Sequence, residues 1–485
     1  MNCVDFLLQD HTNHPNDFIL GRTGVLSYAD LLSNVLKLSK WFEKTVGTEQ
    51  NIILMMPNSS LSVICYLAIM KSGNVVVPLN PAIEREGFND IVERCHPNYL
   101  IVSSQIKKKM NLNVGSVLTE NEVDSILNVQ ESVEWYSSAC IDDALAQIIF
   151  TSGSTAKPKG VMISHKNIIA NTTSIIEYLQ LCEKDIVEIV LPFFYCYGLS
   201  LLHTHLKVGG SVVLNNTFIF LNSVLSDFNK YKCTGFAGVP SHFQILLRKS
   251  DSFKNTKFPH LRYVTQAGGK LHTTFIDEFR KNHPEIDFVV MYGQTEATAR
   301  LSYLPVENLK DKLGSIGKGI PNVELRVVNN EGVKVQPNEV GEIIAKGDNV
   351  MLGYYQEDEE TAKTIIGEWL YTGDLATVDS DGFIYHAARR KEIIKVGGRR
   401  VSPKEIEEVI VGIEGVIDCS IVAVEDEVLG EAIKAILVVN NQNNNISAED
   451  VKRVCADKLA SYKIPQVVEF QENLNINSTG KKVKG

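Results

Sequence analysis

The stretch Leu61-Ser62-Val63-Ile64-Cys65-Tyr66-Leu67-Ala68-Ile69-Met70-Lys71-Ser72-Gly73-Asn74-Val75-Val76-Val77-Pro78-Leu79 decides the fold class. Residues 61–71 are apolar nearly throughout and read as a buried helix; Gly73 breaks it, and the branched run from Val75 to Leu79 follows as a strand. The same grammar recurs downstream, with a strand at 187–191, a helix around 201–207 and the strand Ser211-Val212-Val213-Leu214. Strands that are almost wholly apolar and alternate with helices belong to parallel sheets covered on both faces. The fold class is α/β.

A length of 485 residues corresponds to about three structural units, and such a chain buries a large core without disulfide or metal staples. No fixed-period repeat or low-complexity block interrupts it. The formal net charge is −10, which argues against a general attraction to nucleic acid or anionic lipid. The nine cysteines are scattered and form no C-x-x-C pair, so neither a zinc ribbon nor a dithiol redox site is indicated. Their odd number fits reduced thiols. Residues 1–17 lack a basic segment followed by an apolar run, and the most apolar stretch, 189–202, is short and broken by Pro192 and Gly198. The expectation is a soluble, cytoplasmic protein without a membrane span or a nucleic-acid partner.

The pattern changes near Ala388-Arg389-Arg390-Lys391-Glu392. Before it, residues 376–385 alternate around Asp381-Gly382, a hairpin signal. After it, Ser402-Pro403-Lys404-Glu405 has the form of a capping box with proline at the first helical position. Ile406, Val409 and Ile410 give that helix an apolar face, Gly412 ends it, and strand-like runs follow at 419–424 and 435–439. This predicts a large domain over 1–390 and a small α+β domain over 391–485.

Residues Ile148-Ile149-Phe150-Thr151-Ser152-Gly153-Ser154-Thr155-Ala156-Lys157-Pro158-Lys159-Gly160 carry the first chemical signal. An apolar strand runs into a loop of glycines, hydroxyls and lysines. Backbone N–H groups, hydroxyls and ammonium groups in such a loop suit polyphosphate; a solvated turn between two strands is the other reading. It is not a Walker loop, because Pro158 stands where that pattern needs glycine before lysine.

The loop resembles the signature of the adenylate-forming superfamily, and further segments extend the resemblance in order. They are Tyr292-Gly293-Gln294-Thr295-Glu296, Tyr371-Thr372-Gly373-Asp374, Arg389 leading through Lys395-Val396-Gly397-Gly398, and Gly480-Lys481. The similarity runs from about residue 26 to the C-terminus. It implies a large AMP-binding domain of α/β subdomains with mostly parallel sheets and a small mobile C-terminal domain. It also implies a reaction in which a carboxylate attacks the α-phosphate of ATP, releasing pyrophosphate, before a thiol takes the acyl group. Two anions must meet in that first step, so cations and fixed donors matter more than a general base.

The resemblance assigns roles residue by residue. Thr151, Ser152, Gly153, Ser154, Thr155 and Lys159 would hold the departing phosphates. Glu296 would bind Mg²⁺, a hard cation suited to carboxylate and phosphate oxygens, and Thr295 would contact the α-phosphate. Tyr292, with Gly293 and Gln294 beside it, would lie against adenine, and Gly268 and Gly269 would let backbone approach the base or acyl group. Asp374 would accept both ribose hydroxyls, with Arg389 adding a ribose or phosphate contact. Lys481 would bridge carboxylate and α-phosphate as charge develops. Lys395, Gly397 and Gly398 would enter the site for thioester formation after the small domain turns. Family members usually have glycine and aspartate where Ala388 and Glu392 stand, which bears on the hinge.

The resemblance places the acyl pocket around Tyr195, Ser241 and His242. Amino-acid activators carry an aspartate near Tyr195; here residues 191–215 contain no acid, and a buried substrate ammonium would lack a counter-charge. Many CoA ligases have histidine at Tyr195, so the usual gate is altered. His203 and His205 read as core or helix-face residues, two histidines being too few for a metal site. Pro403 favours the ligase branch. The expected activity is an acyl- or aryl-CoA ligase using ATP, Mg²⁺ and CoA on a small carboxylic acid. The alternatives are loading of an acyl carrier protein's phosphopantetheine and a non-catalytic nucleotide-binding regulator.

Overall fold

The computed structural model describes residues 1–485 except 22–23, 113–115, 130–132, 139–142, 152–157, 217, 219, 397, 427–429, 440–445, 473 and 475–485. The stretch that decides the fold class forms the helix Ser60–Lys71 and the strand Val75–Pro78. Ser59 and Ser62 cap the helix reciprocally, and residues from Ser62 to Lys71 are all buried, as expected of a helix that is apolar on every side. Gly73 turns the chain at φ +76°, a conformation that suits glycine.

Two mainly parallel sheets form the body of the large domain. The strands Asp17–Leu20, Ser211–Leu214, Ile186–Ile189, Gly235–Gly238, Tyr263–Gln266 and Asp287–Tyr292 run parallel as neighbours, with short antiparallel strands at both edges of a nine-stranded sheet. The second sheet has seven strands. Leu145–Thr151, Val75–Pro78, Asn51–Met55, Tyr99–Val102 and Ser116–Leu118 are parallel, while Lys159–Ser164 and Gly353–Tyr354 close one edge antiparallel. A third, antiparallel sheet contains Glu324–Val328, Gly341–Lys346, Trp369–Val378 and Ile384–Arg389. The hairpin expected around Asp381-Gly382 is the turn between its last two strands.

One buried ion pair pins the N-terminal helix Cys3–Leu8 to this body. Lys71 is wholly buried, donates to the Asp5 carboxylate and the Tyr136 carbonyl, and lies 4.4 and 4.3 Å from the ring centroids of Trp135 and Tyr136.

The chain passes into a fourth sheet between Arg389 and Ile394. Here Arg399–Val401, Ile394–Val396, Gly430–Val439 and Val416–Asp426 are antiparallel neighbours, and Val467–Phe470 joins Gly430–Val439 in parallel. The helices Pro403–Val411 and Ala448–Lys458 complete a small α+β unit. Its first helix starts at the expected proline, but the expected capping box is absent. Ser402 donates instead to the Ala387 carbonyl at 2.7 Å, and Glu405 is drawn to Lys463 at 2.5 Å. Tertiary partners on other elements outcompete the local reciprocal cap.

This helix docks onto the large domain through Glu408, which accepts from Thr273 N at 2.8 Å and Thr273 Oγ1 at 2.5 Å. His272 Nδ1 lies 3.1 Å from the same carboxylate and Lys270 Nζ 3.6 Å. The helix Thr273–Asn282 has no side-chain cap of its own, so Glu408 caps it from another element and complements its dipole. Burial pushes the Glu408 carboxyl up, but His272, Lys270 and Thr273 outweigh it and hold it at about 2. Glu408→Ala is expected to destabilise the chain by about 1–3 kcal/mol through the stranded donors. Since the folded carboxyl lies below its ordinary 4.5, this contribution is complete above that pH and fades as pH falls toward 2. Denaturant melts at pH 7 and pH 3 check it: the gap between wild type and variant should narrow at the lower pH.

Candidate active site

The two strands that flank the phosphate-loop segment are paired with each other. Leu145–Thr151 and Lys159–Ser164 pair antiparallel with Thr151 opposite Lys159, and Thr151 Oγ1 stands 3.5 Å from the Lys159 carbonyl. Ser152, Gly153, Ser154 and Thr155 lie outside the described residues. Lys159 Nζ is 2.5 Å from Glu360 Oε2 and 4.9 Å from the Tyr354 ring centroid. The Tyr354 hydroxyl donates to Glu296 Oε1 at 2.9 Å. One tyrosine thus touches both the lysine expected at the phosphates and the carboxylate expected at the metal.

The segment carrying Glu296 is shaped by close backbone approach. Strand Asp287–Tyr292 ends at Tyr292, and the single turn Thr295–Ala297 follows. A Cβ on Gly293 would stand 2.0 Å from the Ala299 carbonyl oxygen, so only glycine permits this fold-back. Gln294 is the residue capping the turn, Thr295 is buried with Oγ1 3.5 Å from Cys196 Sγ, and Glu296 remains half-buried.

Asp374 is held from three sides. It is 2% exposed and takes three partners: Tyr292 Oη donates at 2.7 Å, His386 Nε2 lies at 3.2 Å and Arg389 Nε at 3.3 Å. Antiparallel register creates the cluster by setting Asp374 opposite Arg389 and Ala376 opposite His386. Burial pushes the Asp374 carboxyl up, yet His386, Arg389 and Tyr292 together hold it below the usual carboxylate range. The result is a preorganised, ionised acceptor beside a half-buried tyrosine ring and an exposed guanidinium.

The other expected residues fall into separate groups. Gly268 has φ +87°, and a Cβ on Gly269 would meet Pro240 Cγ at 3.3 Å, which brings this turn against the helix Pro240–Lys249. Ser241 and His242 are buried in that helix's first turn. The His242 ring lies 4.0 Å from Phe218, and burial holds its imidazole down at about 3. Tyr195 is half-buried and precedes the helix Cys196–Val208. His203 and His205 are core residues of that helix; His203 Nε2 is 2.8 Å from Tyr66 Oη and His205 Nδ1 is 2.9 Å from the Leu201 carbonyl. Lys395 and Gly398 stand exposed in the strand–turn of the small sheet, and among the described residues nothing lies within 4 Å of where a Cβ on Gly398 would be. Gly397 and Lys481 lie outside the described residues.

Sequence reasoning missed Tyr354, Glu360 and His386. The register of the hairpin it did identify would have exposed His386, which is diagonal to Asp374. Tyr354 and Glu360 had no local signal, because a distant edge strand and the helix Asp358–Thr364 bring them in.

The model of the AMP-binding enzyme family matches residues 8–355, and that of the AMP-binding enzyme C-terminal domain matches residues 405–481. The chain belongs to the AMP-binding enzyme family. This AMP-binding enzyme is 30% identical to the oxalate–CoA ligase of Arabidopsis thaliana over 448 residues, covering 89% of this chain and 86% of the relative. It is 28% identical to the 2-succinylbenzoate–CoA ligase of Geobacillus sp. (strain WCH70), covering 94% and 91% of the two chains. Among solved structures, the o-succinylbenzoate CoA synthetase from Bacillus subtilis, in complex with its acyl-adenylate intermediate, superposes with a TM-score of 0.87 at 26% identity. That match covers 99% of this AMP-binding enzyme and 96% of the other chain. No helix among its described residues is long and apolar enough to cross a membrane.

Proposed function

We propose that this AMP-binding enzyme is an AMP-forming acid–CoA ligase whose nucleotide site is organised by Asp374. The single observation that carries the reading is the Asp374 cluster: a buried, ionised carboxylate joined to Tyr292 and Arg389, the three residues expected at ribose, adenine and phosphate. In the first half-reaction the substrate carboxylate oxygen bonds to the α-phosphorus while the bond to pyrophosphate breaks. In the second, the CoA sulfur bonds to the acyl carbon and AMP leaves.

Asp374 accepts the ribose hydroxyls, Tyr292 lies against the base, and Thr295 donates to the α-phosphate. Thr151 and Lys159, with Ser152, Gly153, Ser154 and Thr155, hold the leaving phosphates, which replace Glu360 on Lys159. Glu296 fits a divalent ion, being a half-buried carboxylate oriented by the Tyr354 hydroxyl and offering the hard oxygen such ions prefer. Bound Mg²⁺ would supply neutralising charge on the triphosphate. Gly268 and Gly269, with Ser241, His242 and Tyr195, border the acyl group. The two domains divide near 390/391, and rotation of 391–485 exchanges Lys481 for the segment from Lys395 to Gly398.

Asp374→Ala is expected to raise the Kd for ATP about 10–100-fold, the loss of charge-assisted hydrogen bonds of ~1.5–3 kcal/mol. Isothermal titration at a temperature well below the variant's own melting transition, where it is fully folded, checks it. The function itself is tested by pyrophosphate release with ATP, Mg²⁺ and fatty, aromatic and amino acids, with and without CoA. Release with one acid class, completed by CoA to AMP and a thioester, supports a CoA ligase. Release that only an acyl carrier protein completes replaces CoA with that acceptor. Tight ATP binding with no release for any acid supports a non-catalytic regulator.

A further inference from the structure

Lys71 and Arg300 are the two buried lysine or arginine side chains among the described residues, at 0% and 2% exposure. Their surroundings differ in one respect. Lys71 has the Asp5 carboxylate, whereas Arg300 forms no ion pair with an aspartate or glutamate among the described residues. The Arg300 guanidinium lies 4.0 Å from the Tyr197 ring centroid. Its N–H groups meet neutral acceptors: Nε faces Met291 Sδ at 3.3 Å, Nη1 the adjoining Ala299 carbonyl at 3.3 Å and Nη2 Ser200 Oγ at 3.4 Å, with the Tyr178 hydroxyl also within its reach. A guanidinium cannot shed its proton to escape burial, and an uncompensated buried charge is costly. Its planar fork of donors matches a carboxylate in two-point contact.

Arg300 also lies close to the residue expected at the α-phosphate. Arg300 lies on the segment leaving the Thr295–Ala297 turn. Its side chain packs on Tyr197 and Ser200 of the helix Cys196–Val208, whose first residue, Cys196, faces Thr295. From Cys196 to Ser200 is one helical turn, a rise of about 6 Å. An acid whose reacting carboxylate is held at the Thr295 end and whose body runs along this helix therefore carries its far end toward the guanidinium.

We propose that Arg300 recognises a second carboxylate on the substrate, so that the acid activated by this enzyme is a dicarboxylic acid. The proposal rests on the adenylation reading above and adds the substrate class to it. A site built to bind a charged group discriminates strongly against the analogue lacking it, because the buried donors are otherwise left unpaired.

The test compares pyrophosphate release for matched pairs differing by one carboxylate: propionate with malonate, butyrate with succinate, pentanoate with glutarate, and benzoate with phthalate. The wild-type enzyme should prefer at least one diacid over its monoacid by about 10²-fold or more in kcat/KM. Arg300→Met should remove that preference mainly through the KM for the diacid, leaving the KM for ATP unchanged, and Arg300→Lys should restore part of it. Release with monoacids alone overturns the role of Arg300 while leaving adenylation standing. Silence with every acid, including the fatty, aromatic and amino acids above, overturns both. Should Arg300→Met not fold, the wild-type comparison and the protection of its melting temperature by diacids against monoacids, with ATP present, decide the question.

Discussion

Lys481→Ala is expected to slow acyl-adenylate formation by about 10²–10³-fold, the usual loss when one donor to developing transition-state charge is removed. A carboxylate and a triphosphate repel each other as they approach, and no acid–base group is required for the attack. The catalytic demand is therefore a cation between the two anions. In the proposed reading Lys481 of Gly480-Lys481-Lys482 is that cation, and the match to the C-terminal domain model ends at residue 481. The thioester half-reaction transfers an acyl group already activated, so the variant should convert supplied acyl-AMP and CoA to thioester at close to the wild-type rate. Lys482→Ala should leave both halves largely intact. Equal loss of both half-reactions in Lys481→Ala would remove Lys481 from the role.

Asp5→Ala is expected to destabilise the fold by about 3–5 kcal/mol, because it strands the Lys71 ammonium in the interior. Among the described residues Lys71 then keeps the Tyr136 carbonyl and two aromatic faces as its contacts, with the Glu43 charge acting on it without a contact, and none of these replaces a paired carboxylate. Burial already draws the Lys71 ammonium below its ordinary pKa, with Asp5 opposing that shift. Removing Asp5 lowers it further, so stability lost at neutral pH should be regained as pH rises toward the ordinary lysine value near 10.5. Urea titrations at pH 7 and pH 9.5 measure both effects. The double variant Asp5→Leu with Lys71→Met should recover most of the loss, since an apolar pair of similar volume fits the same site.

The α/β alternation was legible because the segments that carry it, such as Ser60–Lys71 and Val75–Pro78, are buried on all sides, and burial writes itself into composition. The helix start at Pro403 was legible for a different reason, its fixed φ. Its cap was not, because Ser402 and Glu405 found partners at Ala387 and Lys463, fifteen and fifty-eight residues away. The site divides along the same line. Thr151, Lys159, Tyr292, Thr295, Glu296, Asp374 and Arg389 sit in short ordered motifs, and the structure joins Tyr292, Asp374 and Arg389 in one cluster. Tyr354, Glu360 and His386 reach that machinery through sheet pairing and helix placement, which a linear pattern does not record. Arg300 carries no local motif either. Its meaning comes from what surrounds it, a ring, a thioether and a hydroxyl where a carboxylate would be expected.

Attack of a substrate carboxylate on the α-phosphorus of ATP leaves an isotopic record. It is tested most directly with an acid labelled with ¹⁸O in its carboxylate, turned over by the full-length enzyme with ATP and CoA. Adenylation followed by thiol attack leaves one labelled oxygen on AMP, read by mass spectrometry or by the isotope shift of its phosphorus resonance, with unlabelled pyrophosphate. Label in inorganic phosphate, with ADP as the nucleotide product, would contradict the account.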